Sequence, residues 1–127
     1  DIDRTFWEVL SPDHFTLFRN AVQWATNEPP PAEVTGQGLL DVTVWRQQDS
    51  MTVHLVNLTN PMAMKGPYRE VIPAPPQRVR VRLPEGKRPR KVEFLVAGGA
   101  PRTAVAGGWL SLTVPSIGVH EVIAIDL

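Results

Sequence analysis

The spacing of apolar residues changes once along this chain, and the change divides it. From Pro12 to about Thr26, Phe15, Leu17, Phe18, Ala21, Val22, Trp24 and Ala25 recur at helical spacing. At 3.6 residues per turn they cover about half of the circumference, leaving Arg19, Asn20, Gln23 and Thr26 for the other half. Ser11-Pro12-Asp13 predicts where the helix begins. Ser11 can accept a hydrogen bond as N-cap, Pro12 gives up a donor that needs no partner there, and the Asp13 carboxylate meets the positive end of the helix dipole. Asn27-Glu28-Pro29-Pro30-Pro31 predicts its end, because consecutive prolines cannot continue a helix and favour an extended spacer.

Beyond the prolines the period is two. Leu40, Val42 and Val44 share one side of Leu40–Trp45, and Val53 and Leu55 share one side of Met51–Val56. A two-residue turn at Asp49-Ser50 would set Val44 opposite Leu55 and Trp45 opposite His54, which keeps inward and outward residues matched. Further strands are expected at Arg78–Leu83, Lys91–Val96, Arg102–Ala106, Trp109–Val114 and Val119–Leu127, the last with Ile123, Ile125 and Leu127 on one face. Gly107-Gly108 suits the positive φ values of a primed hairpin turn. Between Thr59 and Gln77 lies a long loop with Pro61, Pro67, Pro73, Pro75 and Pro76, of the kind that is functional or interfacial in compact domains. The expected fold is mainly β: an antiparallel β-sandwich of about seven strands with one N-terminal α-helix, a small barrel being the alternative.

The chain has no initiator Met, and Asp1 to Trp7 make no convincing start to a domain. Residues 1–28 are therefore expected to be the helical tail of a preceding domain, and 32–127 a C-terminal β-sandwich domain. So wide an apolar stripe asks for a partner surface, which suits packing within a larger parent or oligomerisation through the helical tail. No apolar run approaches the roughly 20 residues that span a membrane, so no membrane partner is expected. Without Cys there are no disulfides or thiol ligands. That leaves the compartment open, with a soluble, cytoplasmic setting expected ahead of secretion.

Net charge is formally zero but unevenly placed. Arg78, Arg80, Arg82, Lys87, Arg88, Arg90 and Lys91 cluster against Glu85 alone. This run reads either as a patch for nucleic acid or an acidic glycan, or as a solvated strand whose arginines guard an edge. No aromatics interleave with them, so edge protection is favoured and no nucleic-acid partner is expected.

Candidate chemistry is sparse. Asp1 and Asp3 form a carboxylate pair without a surrounding pocket, and His14, His54 and His120 lack the spacing of metal ligands. No nucleophile-elbow or phosphate-loop motif occurs. No catalytic residue, metal site or cofactor is therefore expected. Trp45 and Trp109 occupy outward strand phases. An indole on a sheet face can stack on a sugar ring, with His54 beside Trp45 as a polar partner, or can be covered by a loop or neighbouring domain. Tyr68, in the proline-rich loop, joins this set of carbohydrate or interface candidates. Asn57 takes an inward phase and should anchor the loop that follows it, since a buried amide must have its hydrogen bonds met.

Taken together, Asp1–Trp7, Ala21-Val22-Gln23-Trp24-Ala25, Val53–Pro61, Arg80-Val81-Arg82-Leu83-Pro84 and His120–Ile125 resemble the C-terminal end of bacterial β-galactosidase-type hydrolases, akin to glycoside hydrolase family 42. The resemblance implies a parent with a (β/α)8 catalytic barrel, a glutamine-amidotransferase-like domain associated with trimerisation, and a small β-sandwich. On it, residues 1 to about 28 end the middle domain and 32–127 form the sandwich. The family's catalytic carboxylates lie on the barrel, so none maps onto this chain. The implied role is a non-catalytic accessory domain whose partners are the parent's other domains. A carbohydrate-binding module for oligosaccharide is the alternative.

Overall fold

A computed structural model describes residues 12–59 and 70–127. The readings made above for Asp1, Asp3, Ser11, Pro61, Pro67 and Tyr68 lie outside the described residues. The chain divides between Pro30 and Pro31 into two compact units.

In the first unit, α1 spans Pro12–Thr26, with Asp13 in its first turn. Its end is built by two local bonds. Thr26 Oγ1 donates to the Val22 carbonyl at 2.9 Å, and the Asn27 amide donates to the Gln23 carbonyl at 2.9 Å. Asn27 has φ 49°, the left-handed conformation that asparagine tolerates just past a helix. Phe15, Leu17 and Val22 are exposed, and Trp24 is 87% exposed.

Among the described residues, the second unit holds eight strands: β1 (Ala32–Thr35), β2 (Leu40–Arg46), β3 (Ser50–Asn57), β4 (Gln77–Arg82), β5 (Lys91–Phe94), β6 (Thr103–Ala106), β7 (Trp109–Val114) and β8 (His120–Asp126). They form two four-stranded sheets, β1-β4-β7-β6 (sheet I) and β2-β3-β8-β5 (sheet II), with every pairing antiparallel. Alternation of apolar and polar residues dictates this. Val79 and Val81 of β4, Leu110, Leu112 and Val114 of β7, Val53 and Leu55 of β3, and Ile123 and Ile125 of β8 fill a common core. Each such side chain removed from water contributes about 1.5–3 kcal/mol, which makes the inward phase of every strand hard to change. Gly107 and Gly108, at φ 57° and 79°, close the tight hairpin between β6 and β7.

Three expectations need correction. β1 was not expected. It is a four-residue strand directly after the prolines, too short to show a period, and it gains its place by pairing Ala32–Thr35 with Val81–Arg78 of β4. The β2–β3 register also differs: Val44 faces Val53 and Trp45 faces Thr52, while His54 faces Thr43. The turn is centred one residue earlier because Ser50 already pairs with Asp126 of β8, and the Gln47 amide donates to the Ser50 carbonyl at 2.9 Å. Displacing a partner by two residues keeps every side chain on its face, and Leu40 and Val44 pack against the core while Val42, at the outermost strand, is exposed. Finally, β5 stops at Phe94 instead of Val96, for a reason that lies in Glu121.

Candidate functional site

Among the described residues, three polar side chains are buried in the sandwich, and each holds a loop. Asn57 Nδ2 lies 2.9, 3.2 and 2.8 Å from the carbonyls of Ile72, Ile117 and Gly118, while its Oδ1 accepts from the Thr59 amide at 3.0 Å. It thereby gathers the segments before β4 and before β8, which also meet in an isolated bridge between Ala74 and Ile117. Gln77 donates from Nε2 to the carbonyls of Gln37 and Pro75, each at 2.8 Å. Its amide sits so close to Gly36 that a Cβ there would come within 2.1 Å of Oε1. Glu121 accepts from Val96 (3.0 Å) and Val122 (2.9 Å) at Oε1 and from Ala97 (3.0 Å) at Oε2. That carboxylate turns residues 95–97 out of the strand and leaves Leu95 and Val96 exposed. Gln77 and Glu121 were not singled out in the sequence, yet each shares the inward phase of its strand, two residues from Val79 and Ile123 respectively.

The outer face of sheet II carries Trp45, whose indole is 64% exposed. Its cross-strand neighbour is Thr52; His54 lies diagonal to it, not opposite. His54 instead belongs to a short polar row. Thr52 Oγ1 is 3.2 Å from His54 Nε2, and His54 Nδ1 is 3.3 Å from His120 Nε2, with the two rings stacked at 5.4 Å between centroids. A neutral pair satisfies this row when His54 donates from Nδ1 and accepts the Thr52 hydroxyl at Nε2. The row is fixed by register, because Val56 faces both Asp41 and His120 while His54 faces Val122.

The outer face of sheet I is different in kind. Arg80 reaches Glu33 on β1 at 2.9 Å and lays its guanidinium over the Trp109 ring, 4.6 Å from the centroid. Trp109 is therefore half-covered by a cation, an arrangement worth about 0.5–1 kcal/mol at an exposed site. Arg78, Arg80 and Arg102 line an open groove of about 750 Å³ whose polar lining includes Thr35, Ser111 and Thr113. The arginines of β4 do not guard an edge: β4 is flanked by β1 and β7.

Ion pairs away from this face include Lys87–Asp49 and Lys91–Glu93. Lys87, in the loop between β4 and β5, donates to Asp49 at 2.9 Å and holds its carboxyl below the ordinary 3.8, first by hydrogen bonding and then by charge. Glu93 similarly raises Lys91 above its ordinary 10.5 through a 2.8 Å contact. Among the described residues, no group of three or more His, Asp or Glu side chains is arranged to hold a metal ion, and no helix is long and apolar enough to cross a membrane.

No family model and no curated protein matches the chain. Among solved structures it is similar to alpha-L-fucosidase isoenzyme 2 from Paenibacillus thiaminolyticus, with a TM-score of 0.68 and 19% identity. The match covers 89% of this chain but 17% of the fucosidase chain, so the chain spans about a sixth of that protein's length. At this identity the likeness concerns the fold: a β-sandwich of this kind occurs within a glycoside hydrolase.

Proposed function

We propose that the chain is a non-catalytic accessory β-sandwich of a glycoside hydrolase, packing against and stabilising the rest of that enzyme. The observation that carries this reading is one of scale. A match that takes in 89% of this chain occupies 17% of a fucosidase chain. Its internal chemistry fits the same reading, because the buried carboxylate of Glu121 is committed to three backbone amides and serves to shape a loop. The β-galactosidase-type resemblance supplies the finer version, in which α1 ends a glutamine-amidotransferase-like domain and the sandwich follows it. The exposed Phe15, Leu17, Val22 and Trp24 of α1 are what a helix that docks on such a neighbour would carry.

The purified chain should hydrolyse neither aryl galactosides nor aryl fucosides. Turnover that persists through purification to homogeneity would defeat the proposal. Within the parent enzyme, deleting the sandwich should lower the melting temperature while leaving KM close to that of the intact protein.

One observation favours a second reading. The bare Trp45 indole, beside a row of hydrogen-bonding groups, suits stacking on a neutral sugar ring. Calorimetry against neutral oligosaccharides tests it: binding abolished by Trp45→Ala supports it, and silence across the panel removes it.

A further inference from the structure

We infer that the outer face of sheet I binds a carboxylated sugar, the uronic-acid unit of an acidic oligosaccharide. The inference rests on the hydrolase reading only in taking a glycan as the source of the carboxylate. The groove itself is independent of it.

A central strand needs no protection against edge pairing, so the outward arginines of β4 have another use. Arg78 and Arg80 project from the same face at alternate positions, about 6–7 Å apart along the strand. The fold brings Arg102, from the segment before β6, to the same groove. Glu33 is the acidic residue lining it, and Glu33 is already held by Arg80. Among the described residues, Arg78 and Arg102 have no carboxylate partner, so two guanidinium forks face the groove with their charge uncompensated. Such forks match a carboxylate bidentately, more closely than a lysine ammonium would.

The remainder of the lining speaks for a sugar. The hydroxyls of Thr35, Ser111 and Thr113 can donate to and accept from ring hydroxyls, and about 750 Å³ falls within the range of small-ligand sites. A nucleic-acid strand would want free aromatic faces for its bases. Here the indole at the end of the face, Trp109, already carries Arg80. Arg80 is thereby pinned as a fixed wall, and Arg78 and Arg102 are the groups that take the ligand's charge. Exposed charge pairs are weak, so a Kd on the order of 0.1–1 mM is expected, loosened by added salt.

The test is calorimetry of the full chain with trigalacturonate, its carboxyl-reduced neutral counterpart, inorganic phosphate and a short thymidine oligonucleotide. Trigalacturonate should bind at least tenfold more tightly than each of the other three. Arg78→Gln combined with Arg102→Gln should lose at least tenfold, while Arg88→Gln, in the loop between β4 and β5, should bind as the unaltered chain does. These side chains are exposed, and circular dichroism confirms that the variants fold. The inference is overturned if trigalacturonate fails to bind, if the neutral sugar, phosphate or oligonucleotide binds as well, or if the double variant keeps its affinity. Failure here leaves the accessory role standing, whereas turnover of aryl glycosides would remove that role and leave the groove untouched.

Discussion

Each sheet of this sandwich carries one outward tryptophan, and the two are treated in opposite ways. On sheet I, Trp109 lies beneath the Arg80 guanidinium, itself tied to Glu33. On sheet II, Trp45 stands 64% exposed beside the Thr52–His54–His120 row. The inner faces are alike in being mainly apolar, so core packing does not produce the contrast. It arises from the cross-strand neighbours that register supplies: an arginine-bearing central strand on one side, threonine and histidine on the other. One face is equipped to recognise charge, the other to offer a flat apolar ring.

The largest effects should come from the buried groups that hold each sheet's loops. Glu121→Ala strips three backbone amides of their acceptor and should cost about 3 kcal/mol, whereas Gln77→Ala, which frees two carbonyls, should cost about 2 kcal/mol. Urea denaturation measures both, and equal losses would erase the asymmetry. Next in size are the tryptophans themselves. Trp109→Ala should cost about 1 kcal/mol through the lost guanidinium contact, and Trp45→Ala less than about 0.5 kcal/mol. A reversed order in thermal melts would mean that Trp45 is not bare in solution. The smallest effect concerns the bridge from the loop between β4 and β5, which joins the two sheets, to the β2–β3 turn. Asp49 titrates below 3.8 when folded, so its contribution is present above that value and is lost as pH falls through the lower, folded one. Lys87→Met should therefore lower the melting temperature slightly at neutral pH and not at all in strong acid. A difference that persists in acid would separate the effect from Asp49.

Much of this architecture is legible in the residues. The two-residue period assigns the inward residues of β3 and β8, and the 3.6-residue period with its prolines delimits α1. Local pattern stops being informative where long-range pairing decides. β1 exists because β4 needs a neighbour, the β2–β3 turn is centred by the claim of β8 on Ser50, and β5 ends early because a carboxylate on β8 captures its amides. The inward phases of Gln77 and Glu121 are visible in sequence, and the rule applied to Asn57 applies to them equally. The groove is less visible, because Arg102 reaches β4 only through the β6–β7 hairpin, and because a run of arginines looks the same on an edge as in the middle of a sheet.

The margins of the two sheets are unequal as well. β1, β5 and β6 are each four residues long, too short to template another chain. β2 is seven residues long, lies outermost in its sheet, and displays Val42 and Trp45. If copies of this sandwich ever zip together through their backbones, that rim is where the seam would open, and a charged side chain in place of Val42 is the simplest means of keeping concentrated solutions clear.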